Sequence, residues 1–313
     1  MYAVETIGLT KAFRDKRALD SLDMRVPSGE IYGLVGRNGS GKSTAMKIIC
    51  GMMSSTSGEV RIQGEVMSAC EASPRLGSLV ETPGIYPSLP AIENMMSKAL
   101  TLGTVDARHR CSDLLEMVGL EPANRRKVEQ YSMGMKQRLG LALALLGDPD
   151  ILLLDEPLNG LDPEGARSIR DLIVDLNRVR KVTVIISSHV LDQLERICHR
   201  YGVIKDGRMV KEITSEEMEE ACRGGLLISC SEPDRALALF SEHLPKMKVS
   251  MLPDGVIRID GDPDASAIGA LLMEKGISVS DMHTAARDVE EFFVDLMRGK
   301  TVVDPTCCKG GSC

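Results

Sequence analysis

Gly36-Arg37-Asn38-Gly39-Ser40-Gly41-Lys42-Ser43-Thr44 satisfies the pattern G-x-x-x-x-G-K-[ST] through Gly36, Gly41, Lys42 and Ser43. The flanks suit it. Glu30 to Val35 is a short apolar run of strand character, and Thr44 to Cys50 has helical composition, so a strand, a glycine-rich loop and a helix follow one another. Glycines let such a loop turn its backbone N–H groups inward around an anion, and the helix points its positive dipole end at the same place. The ligand that fits is a nucleoside triphosphate. Lys42 would reach its β- and γ-phosphates, and the Ser43 hydroxyl would ligate the Mg²⁺ that bridges them.

Working outward, Ala3 to Leu9 and Leu19 to Val26 each alternate in hydropathy before Pro27-Ser28-Gly29, which predicts an antiparallel hairpin with Phe13 on its connection. An aromatic there either packs on the core or offers a face to a nucleobase. Gly58 to Gly64 and Leu76 to Val80 read as further strands. From Pro90 to Gly147 apolar residues recur at helical spacing, through Ile92, Met95, Met96, Ala99 and Leu100, then Leu114 to Val118, then Leu139 to Leu146. This predicts a helical insert at about 88–148.

Asp150-Ile151-Leu152-Leu153-Leu154-Asp155-Glu156 has the form of a buried parallel strand that delivers two carboxylates at its C-terminal edge. Two acids at a strand end are a weak signal alone. Downstream of a phosphate loop they suit a metal-supporting acid followed by a base that activates water. Asn159 to Pro163 predicts a turn, Glu164 to Val179 an amphipathic helix, and Val182 to Ile186 another buried strand that releases His189 at the same edge. A lone His is usually structural; here an imidazole would meet the γ-phosphate. Tyr201 to Ile213 reads as a hairpin with Asp206-Gly207 at its turn.

Between the insert and Asp155 lies Tyr131-Ser132-Met133-Gly134-Met135-Lys136-Gln137-Arg138. With the phosphate loop, Asp155-Glu156, the Asn159 to Asp162 turn and His189, in that order, the chain resembles an ATP-binding-cassette ATPase over roughly 1–218. The resemblance implies an α/β P-loop NTPase domain at 1–222, with an antiparallel β subdomain and a helical subdomain. It implies that Phe13 stacks on the base, that Gly36 to Thr44 cradle the phosphates of ATP, and that Ser132 and Gly134 complete the site of the opposite protomer. Asp155 and Glu81 join Ser43 around Mg²⁺, Glu156 is the general base, Asp162 links the two sites, and His189 senses the γ-phosphate. Its partners would be an integral membrane permease and a second ATP-binding subunit, identical or different, at the inner face of the cell membrane.

Two departures narrow the resemblance. Met133 and Met135 replace a Gly and the Gln of the usual signature, and Glu81 stands where the family usually has Gln. Both resemble the exporters that protect bacteria from bacitracin and lantibiotics. An ionised Glu81 cannot donate a hydrogen bond and adds negative charge near Asp155 and Glu156, which would make Mg²⁺ more necessary or raise its own pKa.

From Gly225 onward, strands at Leu226 to Cys230, Lys248 to Met251, Val256 to Asp260 and Ile277 to Asp281 alternate with helices at Asp234 to His243, Ser266 to Lys275 and Val289 to Met297. A small α+β accessory domain at 223–300 is expected, for dimer contact or regulation. The polar tail at 301–313 is expected to be disordered. Its Cys307, Cys308 and Cys313 fall one ligand short of a closed zinc site.

Composition excludes other classes. Asp and Glu number 45 against 38 Lys and Arg, a formal net charge of −7, so a protein that mainly binds nucleic acid is not expected. No run approaches a membrane span and the first residues lack a secretory pattern, which predicts a cytoplasmic chain. The six cysteines before the tail are scattered and read as small buried hydrophobes. A soluble cassette ATPase acting on the ribosome or DNA is the alternative function. It is disfavoured by a single cassette, no basic linker and no sustained heptads. A nucleotide-dependent binding module that hardly turns over is disfavoured by the presence of Glu156.

Overall fold

Three strands with apolar centres organise the first unit: β3 (Ile31–Val35), β7 (Ile151–Asp155) and β8 (Thr183–Ser188) are buried along their whole length. Strands covered on both faces belong in a parallel sheet, and in the computed structural model these three are its centre. The structure describes residues 1–298 except 15, 82, 83, 191, 192, 223, 245, 246, 248, 253, 262, 286 and 287. It divides into Met1–Ser215 and Glu216–Cys313, one short helix earlier than the boundary expected from sequence.

In chain order, β1 (Tyr2–Phe13) and β2 (Lys16–Pro27) form the antiparallel hairpin, and β4 (Ser57–Ile62) and β5 (Glu65–Val66) extend it to a four-stranded sheet, β2-β1-β4-β5. Both hairpin strands are longer than their alternation indicates. Register shifts break the pairing after Thr6 and near Lys11, and bulged strands do not keep a strict period of two. Phe13 is therefore the last residue of β1, paired with Lys16, and not part of the connection.

The six-stranded sheet runs β10 (Arg208–Thr214), β9 (Arg200–Lys205), β3, β8, β7, β6 (Leu76–Leu79), parallel except for the β9–β10 hairpin. Asp206 and Gly207 both take positive φ at that hairpin, as a tight turn between twisted strands demands. The parallel register aligns Leu79 with Leu154, Asp155 with Ser187, and Val35 with Ser188. All four strands thus end at one edge. Helix α1 (Lys42–Ile49) packs its Ala45, Met46, Ile48 and Ile49 into the core shared by the two sheets, with Val80, Ile151 and Leu153.

The insert consists of α2 (Ala91–Leu102), α3 (Ala107–Met117), a 3-10 turn at Val128–Gln130 and α4 (Met133–Leu145). Every residue from Leu139 to Leu145 is buried, so the second half of α4 is enclosed on all sides. It lies close on β6. A Cβ on Gly77 would meet the Ala144 carbonyl oxygen at 2.2 Å. Helix α5 (Pro163–Arg180) presents Ala166, Ile169, Ile173 and Leu176 to the interior.

The second unit holds α6 (Ser215–Cys222) from Glu216 onward, β11 (Gly225–Cys230), α7 (Pro233–His243), β12 (Val249–Met251), β13 (Ile257–Asp260), α8 (Ala265–Glu274), β14 (Val279–Ala285) and α9 (Val289–Arg298). The sheet order β12-β13-β11-β14, antiparallel throughout, is that of a split βαββαβ unit. Leu226, Ile228, Ile257 and Ile259 form its core with Ala236 and Phe240 of α7 and Ile268 and Leu272 of α8. The last strand begins two residues later than its apolar pattern indicates, because Ile277 packs in the core ahead of it. Lys248 and the tail with Cys307, Cys308 and Cys313 lie outside the described residues. No described helix is long and apolar enough to cross a membrane.

Candidate functional site

The phosphate loop leaves β3 and is pressed between neighbours. A Cβ on Gly36 would meet the Ile204 carbonyl oxygen at 2.4 Å, and one on Gly41, at φ 115°, would meet the Ala18 carbonyl oxygen at 2.7 Å. Only glycine fits both places. Within the loop the Ser40 N–H donates to Arg37 O at 3.0 Å, and the Gly207 N–H donates to Ser40 O at 2.8 Å. The side chains of Arg37 and Asn38 stay exposed, as does Gly39. Ser40 Oγ is buried and has no hydrogen-bond partner among the described residues. Leaving a buried hydroxyl unpaired costs about 1–3 kcal/mol, and an anion seated in the loop would remove that cost.

Lys42 and Ser43 open α1, with Thr44 one residue further. The Lys42 side chain is 5% exposed; its Nζ donates to Gly36 O at 2.7 Å and lies 3.7 Å from Glu156 Oε1. Burial pushes its ammonium below the ordinary lysine value, opposed by the attraction of Glu156 and Asp155 for the charged form. A cation held this way gains by meeting phosphate charge.

At the ends of β7 and β8, the buried Asp155 accepts a hydrogen bond from Ser187 Oγ at 2.5 Å. The Glu156 N–H donates to the same Ser187 Oγ at 3.0 Å. Ser187 was legible in the sequence only as the residue after a strand; its signal is register, since Asp155 and Ser187 face one another on adjacent parallel strands. Glu156 takes a left-handed φ of 50°, which directs its side chain away from the strand line. Its Oε2 shares a hydrogen bond of 2.8 Å with His189 Nδ1. Lys42, Asp155, Glu156 and His189 are thus brought together, with Ser187 as the missed fifth member.

The remaining candidates lie around this group. Phe13 is 43% exposed, with Lys11 Nζ 5.2 Å from its ring centroid, on the hairpin whose Ala18 abuts Gly41. Ser132 caps α4, accepting from the Met135 N–H at 3.3 Å, and Asp162 stands exposed at the N-cap of α5. These two caps are neighbours: a Cβ on Gly134 would lie 3.4 Å from Leu161 Cδ2. No hydrogen bond among the described residues joins Ser132, Gly134 or Asp162 to the phosphate loop. Gln137, not singled out in the sequence, places its Nε2 3.5 Å from Glu156 O. Glu81 follows β6 at φ 59°, and its carboxylate pairs with Lys47. Its neighbours Thr82 and Pro83 are outside the described residues.

Among the described residues no three His, Cys, Asp or Glu side chains stand close enough to hold a metal by themselves. That suits Mg²⁺, which keeps waters and takes phosphate oxygens beside one or two protein oxygens. Ser43 opens α1 beside Lys42, and Asp155 ends β7, so each supplies one oxygen of the kind Mg²⁺ takes.

Comparison with known proteins agrees with this geometry. The ABC transporter family profile matches residues 19–159. The bacitracin transport ATP-binding protein BcrA of Bacillus licheniformis is 36% identical over 302 residues, spanning 96% of this chain and 98% of that protein. The lantibiotic transport ATP-binding protein SrtF of Streptococcus pyogenes is 38% identical over 223 residues, 70% of this chain and 96% of that one. Among solved structures, a dimeric ATP-binding cassette in a post-hydrolysis state with ADP and Pi bound aligns at a TM-score of 0.63 and 27% identity, covering 68% of this chain and 98% of that chain. The chain belongs to the ATP-binding-cassette transporter family and is one of its ATP-hydrolysing cassettes.

Proposed function

We propose that this chain powers a separate integral membrane permease that exports a peptide antibiotic, working as one of two ATP-binding subunits, identical or different, on the inner face of the cell membrane. The observation that carries the mechanism is the meeting of Lys42, Glu156 and His189 at the mouth of the phosphate loop. In this reading Phe13 stacks on the base and the backbone of Gly36 to Thr44 surrounds the phosphates. Lys42 moves from Gly36 O to the β- and γ-phosphate oxygens, and His189 turns to the γ-phosphate. Glu156, freed of both, orients a water and takes its proton as the water oxygen attacks the γ-phosphorus and the bond to the bridging oxygen breaks, leaving ADP and phosphate. Ser43, Asp155 and Glu81 would hold Mg²⁺, which when bound would neutralise phosphate charge.

Ser132 and Gly134 at the start of α4 present a helix N-terminus to the nucleotide of the opposite subunit, and Asp162 lies across that junction. ATP then joins the two subunits, and hydrolysis parts them. The choice of cargo rests on relatives that match both units of the chain and are bacitracin transport proteins.

The test is to express the Glu156→Gln protein in its host, hold it with ATP and Mg²⁺, solubilise gently and identify what co-purifies. A polytopic membrane protein, together with bacitracin or lantibiotic sensitivity on deleting the gene, is the expected result. Ribosomal proteins or DNA in the preparation would overturn the transporter reading.

A further inference from the structure

Glu81 and Lys47 form an ion pair that joins the end of β6 to the last turn of α1. The two partners differ in how firmly they are held. Lys47 is helical, three-quarters buried, and its carbonyl accepts from the Met52 and Met53 N–H groups at 2.8 and 3.1 Å. Its ammonium also sits at a helix C-terminus, where a cation is favoured. The Glu81 side chain is 60% exposed, and its backbone holds a positive φ that a residue with a Cβ adopts only under constraint.

Leu79 lies level with Leu154, so Glu81 leaves β6 at the edge where Asp155 ends β7 and Glu156 follows it. An exposed carboxylate on the edge that also carries Asp155 and Glu156 is repelled by an arriving triphosphate unless a cation takes it. Lys47 takes it on the side of α1. We infer that Lys47 is a positioning residue for Glu81: it holds the carboxylate off the nucleotide site, and a divalent cation bound with the nucleotide competes for it. This rests on the reading of Glu81 as a metal-side residue. The same helix, α1, begins with Lys42 and Ser43 and carries Lys47 in its last turn, so phosphate binding and the parking of Glu81 are tied to one element.

The competition is expected to be mild, because an exposed pair is worth about 0–1 kcal/mol, or up to about fivefold in an equilibrium. The experiment titrates Mn²⁺ into the full chain saturated with a non-hydrolysable ATP analogue and follows free Mn²⁺ by electron paramagnetic resonance. Removing Lys47 also removes a nearby positive charge, so the measurement is a cycle of Lys47→Gln, Glu81→Gln and the double variant.

Lys47→Gln is expected to tighten Mn²⁺ by about two- to fivefold, Lys47→Arg to restore the original affinity, and Glu81→Gln to weaken Mn²⁺. The double variant should match Glu81→Gln alone. If Lys47→Gln tightens Mn²⁺ equally with Gln at position 81, charge alone is at work and the positioning role is wrong. If Glu81→Gln weakens Mn²⁺ while Lys47→Gln changes nothing, the positioning role also fails, yet Glu81 keeps its metal-side assignment. If neither variant changes Mn²⁺ affinity while Asp155→Asn does, both ideas about Glu81 are overturned.

Discussion

Glu156 Oε2 and His189 Nδ1 stand 2.8 Å apart, at the ends of two adjacent parallel strands. The other oxygen of the same carboxylate faces Lys42 at 3.7 Å. In the proposed mechanism this carboxylate is held between two groups that would both turn to phosphate, so arrival of the triphosphate would free it to act.

Glu156→Gln keeps the shape and the hydrogen bond to His189 but loses the proton acceptor. Turnover should fall by about 10²–10⁴-fold, the usual worth of a general base, while nucleotide affinity stays within a few-fold. Single-turnover hydrolysis beside equilibrium binding of a fluorescent ATP analogue checks both halves. Retained turnover would remove Glu156 from the base role.

Ser187→Ala deletes the hydroxyl that donates to Asp155 and accepts from the Glu156 N–H. Asp155 loses a buried donor, while the Glu156 N–H keeps its longer bond to Ser187 O at 3.3 Å, so a stability loss of about 1–3 kcal/mol is expected from the urea midpoint. Divalent-cation affinity should weaken too, since Asp155 is no longer oriented. Ser187→Thr, which restores the hydroxyl, should recover part of both.

Lys42 gives a pH dependence with a definite sign. Its folded-state pKa is below the ordinary value of 10.5, so between the two the unfolded chain binds more protons. The cost of burying the charged amine is present at lower pH and is relieved as pH rises through that window. Wild-type stability should therefore gain on that of Lys42→Met as pH climbs toward 10.5, in paired denaturant titrations of the ligand-free proteins. A difference that does not change with pH would mean that burial of the charge costs nothing.

Asn94 is buried under the exposed Tyr86, and its side chain accepts from the Tyr86 N–H at 2.7 Å while donating toward Tyr86 O, Leu89 O and Pro90 O. Asn94→Ala should loosen this loop, raising its proteolysis rate and lowering stability by about 1–3 kcal/mol. Asn94 makes none of its hydrogen bonds to Lys42, Asp155, Glu156 or His189, so basal ATPase should change less than stability does.

The phosphate loop, the acids after β7 and His189 were legible because each is a local pattern: strand composition followed at once by residues with one chemistry. The same is true of the parallel core, whose unbroken apolar runs exclude a half-exposed strand. Local pattern also placed the β9–β10 turn at Asp206-Gly207, since few other pairs accept two positive φ angles. Phe13 was misplaced by a short distance, because bulges let β1 run past the end of its alternation.

What the chain's order alone determined is therefore which chemical groups exist and which strand ends carry them. Tertiary structure decided who meets whom. Ser187 reaches Asp155 and Glu156 only through the register of β7 against β8, Gly41 is required by Ala18 of the hairpin, and Glu81 finds Lys47 only because the last turn of α1 comes beside the chain that follows β6. Hydropathy period and turn chemistry act over a few neighbouring residues, whereas these contacts join positions 23 to 34 residues apart; no local propensity encodes such pairings, and only the packing of sheet and helix supplies them.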